Sequence, residues 1–244
     1  MKLPPINIKP FGIHAVLIEW PNEVSETILN KILQFEDYLK DNLDDENWET
    51  VPSYNSLLLL NKVQYIDFLS FTEKINNWYS KAKEQKQRQR YLWRLPVSYD
   101  MEFGIDLEEI SKNLNMSVEE IITMHTSEVY TVYGIGFLPG FMYLGGLNSA
   151  LEIPRRSSPR LKVAQGSVGI AGKQTGIYPQ ESPGGWNIIG SCTVPIFNLK
   201  NENPCFVNIG DKIQFYEIPR AEYDLHKIEA EVGIYQLEKI KLDA

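Results

Sequence analysis

The sequence has only two cysteines, Cys192 and Cys205, and three histidines, His14, His125 and His226. Two thiols exclude a disulfide framework and a four-cysteine zinc site, and they suit a reducing compartment. The histidines are scattered, without His-x-x-x-His or paired-carboxylate spacing, so no metal site is expected. No segment approaches the roughly 20 consecutive apolar residues of a membrane-spanning helix. The opening MKLPPINIKPFG lacks the basic-then-apolar pattern of a secretory leader. A cytoplasmic protein with no membrane partner is the expectation. Positive charge is short as well: 24 Lys and Arg stand against 32 Asp and Glu, a net −8. Such a chain repels polyanions, and nucleic acid is not an expected partner.

What is present divides into unlike parts. Residues 13–20 read as a strand, and Ser25 as the N-cap of a helix whose apolar stripe is Ile28, Leu29, Ile32, Leu33 and Leu39. Two strands follow, 48–51 and 57–60, around the turn-prone Pro52, Ser53 and Asn55. A second helix buries Ile66, Leu69, Ile75, Trp78 and Tyr79 and runs out in the charged KAKEQKQRQR, read as a solvated connector. Residues 91–97 then close a βαββαβ unit, the ferredoxin-like α/β pattern, over residues 1–97. Over residues 98–127, Asp106 with Glu109 and Ser117 with Glu120 spell two capping boxes and hence two short helices. Their acidic faces rule out a DNA-reading helix-turn-helix, which leaves a helical connector.

From residue 128 to 244 the grammar changes. All glycines except Gly12, Gly104, Gly210 and Gly233 lie between Gly134 and Gly190. Short β-prone runs at 130–135, 166–171, 186–189 and 212–218 between such turns predict an all-β barrel or sandwich. The class expected for the whole chain is therefore α+β. Arg155, Arg156, Arg160, Lys162 and Lys173 share a stretch with a single acid, Glu152. This local inversion of charge could hold a small anion.

Two glycine patterns fail as nucleotide signatures. SVGIAGKQ has Ser167 where a P-loop needs glycine and Gln174 where it needs Ser or Thr. GIGFLPG is one residue too long for the dinucleotide fingerprint. Neither Ser167 nor Ser182 has the Gly-x-Ser-x-Gly frame of a hydrolase elbow. His125 ends a helix just before the glycine-rich block, where it is either a cap or a proton shuttle.

YTVYGIGFLPGFMYLGGL, PRRSSPR and GSVGIAGKQTGIYPQESPGGWNIIG, with PSYNSLLL and LPVSYDMEFGIDLEEI before them, resemble the family of KipI, the B subunit of 5-oxoprolinase and allophanate hydrolase subunit 1. The resemblance covers nearly the whole chain. It departs from the family pattern at Met142, at Ala164 and Gln165, at Ser191 and in GIHA at 12–15. It implies an α/β domain followed by a cyclophilin-like β-barrel. It also implies a role as the B subunit of an ATP-dependent 5-oxoprolinase, which opens 5-oxo-L-proline to L-glutamate together with a KipA-like C subunit and a LamB/YcsF-type A subunit. Two alternatives stay open: a KipI-type inhibitor of histidine kinase autophosphorylation, and a urea-related component of allophanate hydrolase. ATP, with Mg, is expected at the level of the complex, whichever subunit binds it, and the chain is expected to bind none and to be inactive alone.

For that chemistry the candidate catalytic residues are His125, Arg160 and Lys173. The candidate substrate-binding residues are Tyr133, Arg155, Ser167, Gln174, Tyr178, Gly184, Gly185 and Trp186. Phe137, Pro139, Phe141 and Met142 crowd one turn-rich segment and are expected to form a partner interface.

Overall fold

The computed structural model describes residues 4–44, 46–82 and 88–242. Residues up to Gln89 and residues from Arg90 onward form two compact units, and each is mixed α/β.

In the first unit, β1 (Asn7–Phe11) and β2 (Ala15–Glu19) form a hairpin. α1 (Glu26–Lys40) follows, then the hairpin of β3 (Trp48–Ser53) and β4 (Ser56–Asn61), and finally α2 (Phe68–Lys81). The sheet is antiparallel throughout, in the order β1-β2-β4-β3. Period-two alternation buries Leu57 and Leu59 of β4 against Ile32 and Phe35 of α1 and Ile75 of α2. Trp20 Nε1 donates to the Tyr79 hydroxyl at 3.0 Å, which donates in turn to the Pro4 carbonyl at 2.9 Å. The indole and the phenol are thus both satisfied inside the core.

The expected βαββαβ order is corrected to ββαββα. The strand at 91–97 does not close this unit. The fourth strand is β1, whose NIKPF carries a lysine and a proline and lacks a β-prone signature. Pro10 is tolerated because β1 is an edge strand. Of the run KAKEQKQRQR, residues 83–87 lie outside the described residues. Arg88 is no solvated linker residue, since its guanidinium pairs with Glu36 at 2.8 Å and with Asp37.

The second unit begins with β5 (Tyr91–Val97), followed by α3 (Leu107–Leu114) and α4 (Val118–Ser127). The chain continues through β6 (Tyr130–Ile135), β7 (Met142–Gly145), β8 (Arg160–Val163), β9 (Ser167–Ala171) and β10 (Gln174–Ile177). It ends with β11 (Ser182–Gly184), β12 (Asn187–Ser191), β13 (Lys212–Glu217), α5 (Arg220–Glu231) and β14 (Glu238–Lys241). Eight strands make one sheet in the order β12-β9-β10-β7-β6-β13-β5-β14, and β8 with β11 makes a separate ribbon.

The expected closed barrel is not formed. The sheet is open, and β12 meets the end of β5 only where Ser98 and Ser191 exchange a pair of 2.9 Å backbone hydrogen bonds. β5 belongs here because it runs parallel to β13 and buries Trp93, Leu95 and Val97 in this unit's core. The helices at 107–127 pack on that same core through Leu107, Ile110 and Ile121, so they are part of the unit rather than a connector. The Ser117–Glu120 capping box is formed as expected. Asp106 does not cap α3, because its carboxylate is engaged elsewhere.

Asp211, in the turn NIGDK, fixes where β13 and β5 begin. Its buried carboxylate accepts from the Tyr91 amide, the Trp93 indole and the Asn208 amide, each at 3.0 Å. Asp211→Ala leaves three donors without their acceptor, the Trp93 indole among them buried, and is expected to cost about 2 kcal/mol of stability. Chemical denaturation should show this as a lower midpoint, and an unchanged midpoint would refute the assignment.

Candidate functional site

The site grows from one buried carboxylate. Asp106 precedes α3 and is 2% exposed. Its amide donates to the Ile188 carbonyl at 3.0 Å, and its Oδ2 accepts the Ile188 amide at 2.6 Å, so the start of α3 is stitched to β12. Its other oxygen, Oδ1, accepts Arg156 Nη1 at 2.9 Å and Arg160 Nη2 at 2.5 Å. Arg156 also reaches Glu109 at 3.0 Å, and its amide donates to the Gly185 carbonyl. The PRRSSPR segment is therefore held by charge-assisted bonds to the α3 terminus.

Arg160 Nη1, by contrast, is buried without a partner among the described residues. A buried guanidinium nitrogen left unbonded is costly unless something supplies an acceptor. Arg160 lines a cleft of about 390 Å³ with Lys162, Gln165, Ser167, Ser191, Tyr223 and Lys227. The Ser191 and Tyr223 hydroxyls are 2.9 Å apart. Arg220 ties the rim together, pairing with Glu102 and Asp224 and lying 4.6 Å over the Phe103 ring. A second cleft of about 220 Å³ shares Gln165, Tyr223 and Lys227 and continues toward Thr193, whose buried hydroxyl has no partner among the described residues. This arrangement of three cationic side chains, several hydroxyls and an amide suits a small polar anion.

Of the candidate catalytic residues, only Arg160 lies in the cleft. Lys173 is displaced because Ala171 pairs with Gln174, which makes Gly172 and Lys173 the hairpin turn between β9 and β10. Its ammonium is exposed and faces Glu152 at 3.8 Å.

His125 is wholly buried rather than at a solvated helix end. Its Nδ1 is 2.6 Å from the Tyr99 hydroxyl and its Nε2 is 2.8 Å from Thr175 Oγ1. Thr175 gives its only hydroxyl hydrogen to the Gly169 carbonyl at 3.1 Å, so it must accept from Nε2–H, and Nδ1 must accept from Tyr99. Burial pushes the imidazole down to about 3. His125 is thus a neutral bridge across the core, stacked on Phe215. A ring so enclosed cannot shuttle protons to a ligand in this conformation.

Of the candidate substrate-binding residues, Ser167 lines the main cleft and Tyr178 the second one. Gly184 and Gly185 adjoin the arginine cluster, and a side chain at Gly184 would strike the Tyr178 ring. Trp186 packs in an aromatic cluster with Phe141 and Tyr178. Tyr133 is buried with its ring against Gly145, Gln174 opens β10, and Arg155 is exposed outside the cleft lining.

The expected interface segment is divided. Phe137 and Pro139 are exposed, whereas Phe141 and Met142 are buried, because the strand from Met142 turns them into two different cores. The sequence reading missed Asp106 as an arginine anchor and missed Tyr223 and Lys227 altogether. The spacing i, i+4 of the last two, which puts both on one face of α5, was the available signal. Burial pushes the Cys192 thiol up to about 12, so it is an inert core group.

The family model described as carboxyltransferase domain, subdomain C and D, matches residues 6–207. The chain is 33% identical over 233 residues to a Bacillus subtilis protein named as the B subunit of 5-oxoprolinase, covering 91% of this chain and 97% of that one. It is 36% identical over 210 residues to a Haemophilus influenzae protein of the same name, covering 86% and 97%. Urea carboxylase of Kluyveromyces lactis superposes over 98% of this chain with a TM-score of 0.80. That likeness is at 16% identity and shows the fold alone, and the chain spans 24% of the longer protein.

The His125 bridge makes stability depend on pH. With a folded value near 3 against 6.5 for the ordinary imidazole, the unfolded chain binds the proton first as pH falls. The stabilisation is complete above pH 6.5 and is lost progressively toward pH 3. Between pH 7.5 and pH 5 this one group should remove about 2 kcal/mol. His125→Asn should erase that part of the pH dependence, read as the difference between the two proteins' denaturation midpoints across the range. Parallel pH profiles would refute it.

Proposed function

The chain belongs to the family of carboxyltransferase domains, subdomain C and D, and on that footing we propose that it is the B subunit of an ATP-dependent 5-oxoprolinase. The observation that carries this reading is the match to proteins of that name along 97% of their own lengths. A five-membered lactam resists water near neutral pH. Phosphorylating its carbonyl oxygen makes the carbon electrophilic: water adds there, the ring C–N bond breaks as the nitrogen takes a proton, and the acyl phosphate left behind is hydrolysed to the carboxylate and phosphate, which is the reason for coupling to ATP.

The nucleotide and its Mg²⁺ are assigned to the partner proteins. Supporting this, Gly172 and Lys173 form a β-hairpin turn instead of the loop before a helix that cradles phosphates. A KipA-like protein and a LamB/YcsF-type protein complete the assembly, and the cytoplasm is its compartment. Among the described residues no helix is long and apolar enough to cross a membrane. Phe137, 66% exposed on the turn before β7, is the residue of the segment Phe137–Met142 best placed to meet a partner.

Reconstitution tests the reading. The purified chain alone should neither hydrolyse ATP nor open 5-oxo-L-proline, while the complex with the KipA-like and LamB/YcsF-type partners should release L-glutamate with ATP consumption. Turnover by the single chain would overturn the need for partners. A fully assembled but silent complex, with inhibition of a sensor kinase's autophosphorylation in its place, would overturn the enzymatic role.

A further inference from the structure

We propose that the cleft beneath α5 is a binding site for one small carboxylate, held between Arg160 Nη1 and the ammonium of Lys227. The inference rests on the oxoprolinase reading only in naming 5-oxo-L-proline as the carboxylate.

Three observations carry it. The first is the unbonded nitrogen. Asp106 takes Nη2 of Arg160, and Nη1 of this cleft-lining residue is left buried and unpaired among the described residues. Such a donor calls for an anionic acceptor. The second is the charge inventory of the cleft. Arg160 is paired with Asp106, Lys162 with Glu181 at 3.2 Å and Glu102 with Arg220, so Lys227 is the lining charge without an ion pair among the described residues. One exposed, uncompensated ammonium and one unbonded guanidinium nitrogen, on residues that line the same cleft, match a single carboxylate. A polyphosphate would bring several charges against that one. The third is the polar wall. Gln165 supplies an amide, and the Ser167, Ser191 and Tyr223 hydroxyls can each donate or accept. A lactam ring, with one N–H and one C=O, needs both kinds of partner.

The test is calorimetric titration of the full chain with 5-oxo-L-proline and with its carboxamide, 5-oxo-L-prolinamide, which keeps the ring and removes the charge. The acid should bind and the carboxamide should bind at least about tenfold more weakly, the scale of a hydrogen bond to a charged group. Arg160→Gln and Lys227→Gln should each weaken the acid by about tenfold or more and narrow its advantage over the carboxamide. Lys227 lies outside the Asp106 cluster, so its variant is informative even if Arg160→Gln fails to fold. No binding by the wild-type chain, equal binding of acid and carboxamide, or undiminished binding by folded variants would overturn the proposal. Turnover by the reconstituted complex keeps the two readings apart. If both variants turn over normally, the cleft assignment falls and the oxoprolinase reading stands. If the acid binds as described but the assembled complex produces no glutamate, the reverse holds.

Discussion

The second unit turns on the carboxylate of Asp106. A charge buried to this degree is tolerable only when its lone pairs are occupied, and here an amide of β12 and two guanidinium groups occupy them. The same bonds do two jobs. One oxygen joins the start of α3 to the sheet, and the other gathers Arg160, which opens β8, and Arg156 from the loop before it, which has no regular structure of its own between Pro154 and Pro159. Loop residues become precise when a rigid element holds their side chains, and in this unit the rigid element is the helix terminus.

Asp211 plays the matching part for the parallel pair of strands. By receiving the Tyr91 amide and the Trp93 indole, it sets the register in which β5 lies parallel to β13, from Leu92 opposite Lys212 to Val97 opposite Glu217. Parallel neighbours need a long crossover, and here the crossover contains α3, α4 and most of the sheet. The unit therefore cannot be completed until its last strands return to its first.

Much of this was legible in the sequence where the cause is local. The strand at Leu57–Leu60, the stripe of α1 and the Ser117–Glu120 box each depend on residues a few positions apart, and each appears as read. The charge inversion around Arg160 likewise pointed to the residue that carries an unbonded donor. What failed was non-local. YLWRLPV looks equally apt for either unit, and only pairing with β13 decides. α5 buries Tyr223 and little else, so it has no apolar stripe to announce it and its cleft residues went unseen. Asp106 and Glu109 have the spacing of a capping box, but two distant arginines and the Ile188 amide compete for them and win.

The hydrogen-bond series Tyr99–His125–Thr175–Gly169 ends on a peptide carbonyl, which has no hydrogen to give back. Every link upstream must then point toward that carbonyl, so the imidazole cannot exchange tautomers without breaking the sequence at its end. Relays that conduct protons need links that can reverse. This one is a dead end, and the core it crosses is insulated against proton traffic by the direction of a single amide.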